Sequence, residues 1–525
     1  MAVRTHSAQS GTGTKRGYVK FIEGGHGYVY DAGSHSIHKL SLGSYRILED
    51  FLTLSTEELQ RQDRGRSGTR DLAAAVEPLS RLRRRRVLRP LPRRDYHAVL
   101  EPGYLESQLS GQLNQLVLHL TEQCNQRCTY CINSGGYAGE YVHNNKRMTW
   151  EIARRCIDYF LPRTHTGSLS GVGFFGGEPL LCWDLIERSV RYVRKSYALL
   201  KEMPLTVATN VTLLEPRQLD FLVRNDVGLQ VSLDGPREIH DAARVTAAGK
   251  GTHAPVIEKL ETIRRRYPWY FAQHVNINCL LDPGNDPSVI FQYFNADPFV
   301  RMKVAVNPIK EDDRSRYAFS CETARRYQAG LKRIVGAYLA SFSDNSDFNY
   351  TLFERIFINE FHFCRQMGTA AANKDHPFNL VCLPGVKNLY VSADGTFYPC
   401  EQFRCPGCEI GDYRTGFDRD KIVNLLSLMA EFCAERCQHC WAYRLCGHCW
   451  LHLLDRGRIS QERKAQRCER ERAILLQALR RFVQIWESEP RVAFRHDGSL
   501  HYIEMRKRLV RSREGKKSLE NPTSQ

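Results

Sequence analysis

The sequence predicts an α/β protein: an open, partial (β/α)6 barrel of TIM-like design, with a small α+β module before it and a cysteine-rich extension after it. Three observations carry this. Between Leu116 and Val306 short apolar strand patterns alternate with one-sided helical patterns, as parallel βα units do. Ahead of them, strand-like pieces precede helical ones within residues 17–80. Behind them, eleven of the chain's 18 cysteines crowd between Cys364 and Cys468.

A chain of 525 residues exceeds one ordinary domain and can bury large cores. Hydrophobic residues make up 42% of it, yet no apolar run is long enough to cross a bilayer, so no membrane association is expected. The opening MAVRTHSAQSGTGTKRG lacks the apolar centre of a cleavable export signal. A reducing, cytoplasmic compartment is therefore expected, where clustered cysteines read as metal ligands more readily than as a disulfide framework. The net charge of +17 suggests an acidic partner, whether nucleic acid, phosphate-bearing ligand or acidic peptide.

Residues 1–16 are small and polar and read as a disordered tail. In the module at 17–80, the strands YVKFI, GYVYDAG and SIHKLS are punctuated by Gly24, Gly25 and Gly33. A helix is predicted from Gly43 to Gln60, with Tyr45, Ile47, Leu48, Phe51 and Leu52 on one face. A second, DLAAAVEPLSRL, is expected to break near Pro78. Residues 81–109 read as a basic linker beginning RLRRRRVLRPLPRR. Its like charges predict a solvated segment or a patch for an acidic peptide. Nucleic acid is disfavoured, because no aromatic residues interleave to stack on bases.

The barrel at 110–313 draws its strands from Leu116–Thr121, Gly171–Phe175, Leu205–Val211, Gly228–Leu233, His274–Leu280 and Met302–Val306. In such barrels chemistry gathers at the carboxyl ends of the strands, and three motifs fall there. The first strand runs into Cys124, Cys128 and Cys131, spaced C-x3-C-x2-C. Thiolates this close reach one metal centre, and three of them leave a coordination position open. A zinc knuckle with a distant fourth ligand, or a chance cluster of buried cysteines, competes with that reading. The second strand ends in Gly176-Gly177-Glu178-Pro179, where glycines permit close backbone approach to a ligand and a carboxylate can accept from a cationic amine. The fourth opens VSLDGPREIHDAARVTAAGKGTH, residues 231–253, in which His240 and Asp241 read as structural hydrogen-bonding residues.

Residues 314–365 read as two helices linking the barrel to the extension, with Phe353, Phe357 and Phe361 as a core stripe. The extension at 366–470 begins CLPGVKNLYVSADGTFYPC, with Asp394-Gly395 as a hairpin turn. It continues with CQHCWAYRLCGHC and closes at Cys468. By itself C-x2-C-x5-C-x2-C with His439 and His448 would equally suit tetrahedral zinc. A helix and a basic tail follow at 471–525.

Taken together, these motifs make residues 110–470 resemble the radical SAM superfamily with a SPASM extension, Tyr130 being the aromatic of its C-x3-C-x-aromatic-C loop. The resemblance implies that Cys124, Cys128 and Cys131 hold a 4Fe-4S cluster whose open iron takes S-adenosylmethionine. An electron then splits that cofactor into methionine and a 5'-deoxyadenosyl radical. Tyr130 and Gly176, Gly177, Glu178 and Pro179 would contact the cofactor, Glu178 through its amino group. Ser232 would meet its ribose or methionine part, and Arg244 its carboxylate. Val211 stands where the family has glycine after Thr209-Asn210, which puts close approach there in question.

Two auxiliary 4Fe-4S clusters, three in all, are further implied. Cys382, Cys400 and Cys449 would serve one, with Cys364 as its fourth ligand and Cys405, Cys408 and Cys433 as spare thiols. Cys437, Cys440, Cys446 and Cys468 would serve the other. The spacing before Cys449 is one residue shorter than the family's. Glu401 stands where sulfatase-maturating relatives place an aspartate base. The implied function is maturation of a ribosomally made precursor peptide by a thioether or carbon-carbon crosslink, driven by a flavodoxin- or ferredoxin-type reductant. The N-terminal module would recognise the leader peptide, or only cap the next domain. An anaerobic sulfatase-maturating enzyme shares nearly every motif; a zinc and nucleic-acid-binding protein and an iron-sulfur electron carrier are the readings from other classes.

Overall fold

The computed structural model describes residues 17–55, 57–59, 61, 72–134, 142–164, 170–196, 203–296, 304–309, 320–344, 352–353, 356–357, 382–447, 449–455 and 458–488. At the N-terminus β1 (Tyr18–Glu23), β2 (His26–Asp31) and β3 (Ser36–Leu40) form an antiparallel three-stranded sheet in that order. Helix α1 (Leu42–Thr53) starts where the Ser41 hydroxyl accepts the Ser44 N–H at 3.0 Å. Helix α2 (Leu72–Arg84) does not break at Pro78, as the sequence predicts, but runs through it. Its Ala75 and Leu79 are buried, and the Ser44 hydroxyl donates to the Ala75 carbonyl at 2.8 Å. Packing against α1 therefore outweighs the one backbone bond that a proline removes.

The basic segment is also not a solvated linker throughout. Val87, Leu88 and Leu91 are buried. Arg94 lies 3.6 Å from the centre of the Tyr443 ring and donates to the carbonyls of Cys437 and Gln438 at 2.7 and 3.0 Å. A guanidinium that stacks and hydrogen-bonds at once is fixed in place.

After α3 (Pro102–Gly111) comes the barrel, whose strands are β4 (Gln115–His119), β5 (Gly171–Phe175), β6 (Leu205–Thr209), β7 (Val227–Ser232), β8 (Val275–Leu281) and β9 (Val304–Pro308). They lie side by side in chain order, every neighbouring pair parallel. Between them run α4 (Trp150–Phe160), α5 (Trp183–Ser196), α6 (Pro216–Arg224), α7 (Arg237–Ala243), α8 (His253–Arg266), α9 (Pro268–His274) and α10 (Pro287–Ala296). The patterning explains the placement. In α4, Thr149 caps the helix, and Ile152, Ala153, Cys156, Ile157 and Phe160 recur on the buried face. In α6, Pro216 sits at the first position behind a capping box of Glu215 and Gln218.

Helix α11 (Cys321–Asp344) leads out of the barrel, and Phe353 stacks on its Tyr338 at 4.1 Å, as a core stripe should. Phe361 and Cys364 lie outside the described residues. The extension then returns to the barrel. Strand β10 (Asn388–Val391) pairs in parallel with β4, and β11 (Thr396–Tyr398), β12 (Gly411–Asp412) and β13 (Gly416–Phe417) follow antiparallel, making one ten-stranded sheet. The Asp394-Gly395 turn forms as expected; a Cβ on Gly395, at φ +89°, would come within 2.2 Å of the Tyr413 ring.

Helix α12 (Arg419–Arg436) is followed by the two-stranded pair β14 (Leu454–Asp455) and β15 (Arg458–Ile459), then α13 (Gln461–Ser488). The boundary expected at residue 470 falls inside α13. This helix and the loop at 437–446 pack against the N-terminal sheet, with Tyr30, Phe21 and Leu91 meeting Trp441, Leu475 and Phe482 in one core cluster. Among the described residues no helix is long and apolar enough to cross a membrane.

Replacing Arg94 by alanine removes the stacked cation and three charge-assisted hydrogen bonds, to Tyr96, Cys437 and Gln438, and should destabilise the chain by about 2–3 kcal/mol. Urea unfolding measures this. An unchanged midpoint would make the segment the solvated linker that its charge alone suggests.

Candidate functional site

The loop carrying Cys124, Cys128 and Cys131 leaves the carboxyl end of β4 and lies flat against the loop that leaves β5. The Gly177 N–H donates to the Thr121 carbonyl at 2.7 Å, and the Glu178 N–H to the Gln123 carbonyl at 2.8 Å. A Cβ on Gly177 would stand 2.1 Å from the Gln123 carbonyl oxygen, and one on Gly176 2.8 Å from that of Thr121. The close approach that these glycines permit is thus to the cysteine loop's own backbone.

The other side of the loop is tied down by Arg127 and Thr129, whose N–H groups donate to Val245 and Ala243. The N–H groups of Gln126 and Asn133 point at the sulfurs of Cys124 and Cys131, each at 3.4 Å. Backbone donors aimed at sulfur stabilise thiolates and tune iron-sulfur clusters. Burial, joined by the neighbouring thiols and carboxylates, pushes the Cys124 and Cys128 thiols up to about 12 and about 11, so a positively charged centre must displace their protons. Among the described residues no three His, Cys, Asp or Glu side chains converge as ligands of one bare ion.

Glu178 lies fully inside the protein at the end of β5. Its carboxylate accepts from the Leu180 N–H at 3.0 Å, the Thr209 hydroxyl at 2.6 Å and the Asn210 N–H at 2.9 Å. Burial nevertheless pushes it up to about 7. A cation beside it would reverse that shift, and an ammonium group is the ligand such a carboxylate lacks. Pro179 opens the short turn that Glu178 caps. Beyond it, Val211 adopts φ +60° although it is β-branched, keeping the left-handed turn that glycine would take. Asn210 donates to Asn125, and Asn125 to Thr212, at 2.8 and 2.9 Å, so the strained turn is latched to the residue after Cys124.

Arg244, expected to face a cofactor carboxylate, is paired with a carboxylate of the protein. Its Nε and Nη2 donate to Asp234 at 2.8 and 3.2 Å, both residues being buried. Asp234 also accepts from the Tyr130 hydroxyl and from the Leu280 N–H at 3.0 Å. The planar fork is therefore committed to holding Tyr130 and the strand ends together, and the fourth-strand motif locks the cysteine loop from behind. His240 is structural, as expected. Burial lowers it to about 4, and its neutral ring accepts the Asp234 N–H and meets the Thr252 hydroxyl at 3.1 Å. Ser232 ends β7 on the same rim.

A buried polar network that the sequence reading missed joins this loop to the extension. Tyr390 of β10 meets His119 Nδ1 at 2.5 Å, and His119 Nε2 stands 3.1 Å from Glu122. Arg404 lies 3.6 Å from Glu122 and donates to the Tyr390 hydroxyl at 3.0 Å and to the Asn133 side chain at 2.6 Å. Burial works to raise the Glu122 carboxyl, but His119 and Arg404 together hold it below the ordinary carboxylate value.

The segment Cys400–Arg404 is thereby tied to the first cysteine loop through Arg404. Glu401 is part-exposed there, and among the described residues its side chain makes no hydrogen bond or ion pair. Cys400 lies near enough to Cys449 to feel its charge, and Cys449 lies near enough to Cys382 to feel that of Cys382. Cys437, Cys440 and Cys468 form a second such group.

Two expectations about spare thiols are corrected. Cys405 and Cys408 are joined in a disulfide across a turn made possible by Gly407 at φ +86°. Cys433, one helical turn before Cys437, hydrogen-bonds with it and so belongs beside the second group.

Residues 118–286 match the model of the radical SAM superfamily. They form a radical SAM domain. Such a domain works with S-adenosylmethionine and a 4Fe-4S cluster, and the thiols, sulfur-directed N–H groups and buried carboxylate described above fit both. The chain is 24% identical over 349 residues to a cysteine-type anaerobic sulfatase-maturating enzyme of Clostridium perfringens, covering 64% of this chain and 87% of that one. It is 27% identical over 195 residues to the radical SAM cyclopropyl synthase TigE of Paramaledivibacter caminithermalis, covering 35% of this chain and 38% of that one. The solved structure of native anSMEcpe with bound AdoMet superposes with a TM-score of 0.53 at 19% identity, over 72% of this chain and 98% of that one. The radical SAM domain and its fold are thus shared.

Two outcomes follow for the radical SAM domain. Gly177→Ala should push the Cys124 loop away and lower S-adenosylmethionine cleavage roughly 10–100-fold, with iron lost from that cluster; full iron and full turnover would contradict the loop contact. In the cofactor-free protein Glu178 binds its proton more tightly folded than unfolded, so its contribution to stability is present below pH 4.5 and lost as pH rises to about 7. Glu178→Gln should flatten that part of the stability profile by roughly 3 kcal/mol, read as melting temperature against pH.

Proposed function

We propose that the chain is a peptide maturase that installs a crosslink in a ribosomally made precursor peptide. The observation that carries this reading is the arrangement of three parts in one body. The radical SAM loop, the cysteine groups of the extension and the three-stranded N-terminal sheet are packed together, the last through Tyr30 and Trp441. A small sheet with edge strands offers a leader peptide a place to add as a further strand. Its position on the cysteine-rich side would deliver the core peptide toward Glu401.

In this reading Cys124, Cys128 and Cys131 hold the first cluster and Glu178 takes the amino group of S-adenosylmethionine. Asp234 keeps Arg244 and Tyr130 at its edge, and Ser232 lines the same rim. When bound, cluster and cofactor supply a 5'-deoxyadenosyl radical that removes a hydrogen atom from the peptide. The barrel excludes water from that reaction. Glu401 takes a proton from the peptide residue as the bond forms. Cys382, Cys400 and Cys449, with Cys364, would hold one auxiliary cluster, and Cys437, Cys440, Cys446 and Cys468 the other; an auxiliary cluster held there would supply an acceptor for the second electron. Net charge +17 suits an acidic reductant of flavodoxin or ferredoxin type.

Formylglycine formation is the second reading, supported by the relationship to sulfatase-maturating enzymes and by the place of Glu401 beside Cys400. One experiment separates the two. A short peptide encoded beside this chain is incubated anaerobically with enzyme, S-adenosylmethionine and reductant, then fragmented in the mass spectrometer. A loss of two hydrogens with no fragmentation between the joined residues is expected. A hydrazide-reactive aldehyde would establish the second reading, and an unmodified peptide neither. Glu401→Gln should slow product formation roughly 100-fold while 5'-deoxyadenosine still accumulates.

A further inference from the structure

Gln126 stands between two of the three sulfurs at the end of β4, and only 1% of its surface meets solvent. Its main-chain N–H points at Cys124 Sγ from 3.4 Å, and its side-chain Oε1 lies 3.5 Å from Cys128 Sγ. One residue thus faces two sulfurs. Its backbone is held from both sides. The Arg127 side chain donates to the carbonyls of Cys124 and Gln126 at 2.7 and 2.8 Å, and Gln126 pairs with Thr246 in an isolated antiparallel bridge. The side-chain Nε2 is buried and, among the described residues, has no hydrogen-bond partner.

An amide NH2 group buried without a partner is costly, so it calls for an acceptor. As a thiol, Cys128 donates to Oε1. A sulfur that ligates iron is a thiolate, which only accepts and which repels that oxygen. A half-turn about the last side-chain bond exchanges the amide oxygen and nitrogen, and brings the NH2 group to the place from which Oε1 now faces Cys128. One amide atom is left without a partner in either orientation, so nothing is lost on that side. On the sulfur side a repulsion gives way to a charge-assisted hydrogen bond. Main-chain N–H groups already face Cys124 and Cys131, whereas the groups found at Cys128 are the side chains of Gln126 and of Arg244, which also holds Asp234.

We propose that the Gln126 side-chain amide donates a hydrogen bond to the ligating sulfur of Cys128 and so holds up the reduction potential of the first cluster. This rests on the reading that Cys128 is a ligand of that cluster. Hydrogen bonds to cluster sulfurs favour the reduced, more negative form. Gln126 acts through the sulfur, so it is a positioning residue and not a catalytic one.

The test uses the full chain, reconstituted anaerobically, with iron quantified and electron paramagnetic resonance followed against potential. The first cluster is recognised as the signal that changes when S-adenosylmethionine is added. Gln126→Met keeps the length of the side chain without its donor, and its midpoint should fall. A three- to tenfold drop in the reduced-to-oxidised ratio at fixed poise is expected, about 28–59 mV for a one-electron couple. Gln126→Leu should do the same. A midpoint that stays put would overturn the proposal, as would one that rises, the mark of water admitted by a loosened loop. Loss of that cluster from both variants would make Gln126 a structural residue of the loop and would equally overturn it. Cys128→Ala, measured beside them, should lose the signal. Its keeping the signal would instead overturn the ligand reading and remove the basis for Gln126.

Discussion

Two backbone loops pressed together more closely than any side chain allows set the geometry at the mouth of this barrel. Gly176 and Gly177 lie against the carbonyls of Thr121 and Gln123, and two hydrogen bonds close the contact. Each such bond contributes about 1 kcal/mol net, too little to fix two loops on its own. The buried strands beneath, from Leu116 to Leu118 and from Val172 to Phe174, supply the rest. The contact sets Glu178 at a defined distance from Cys124, so a ligand that must touch a cluster and a carboxylate together finds both already oriented.

The extension is built onto that arrangement at the level of the sheet. Because β10 pairs with β4, the strand that delivers Cys124 also anchors the strand that leads to Cys400. The buried His119, Glu122, Tyr390 and Arg404 then fix the angle between them. A buried ion pair rarely adds net stability, since desolvation consumes the Coulombic gain. At 3.6 Å the Arg404–Glu122 pair is loose, and its hydrogen bonds to Tyr390 and Asn133 are what hold Arg404 in place. The network therefore specifies geometry, keeping Arg404 against the cysteine loop, more than it stabilises the fold.

The strands were legible because parallel strands buried on both faces read as short apolar runs, and the predicted Gly171–Phe175 strand matches its observed limits. The Asp394-Gly395 turn and the cysteine spacings are likewise local signals. What was not legible depends on contacts distant in sequence. Pro78 stays helical because α1 packs against its helix. Arg244 turns to Asp234, a partner whose acidic side chain in the same S-x-D-G motif was available to be noticed. His119 and Glu122 flank the first cysteine loop and carried a signal, as polar residues beside a buried strand, but Arg404 and Tyr390 lie some 270 positions away.

The central claim is that three sulfurs at the end of β4 hold a cluster that opens one iron to S-adenosylmethionine. It is tested most directly by comparing the anaerobically reconstituted protein with its Cys124→Ala, Cys128→Ala, Cys131→Ala triple variant, measuring 5'-deoxyadenosine under strong reductant. The account predicts steady formation by the wild type and none by the variant. Equal cleavage by both, or a wild type rich in iron that leaves the cofactor intact, would contradict it.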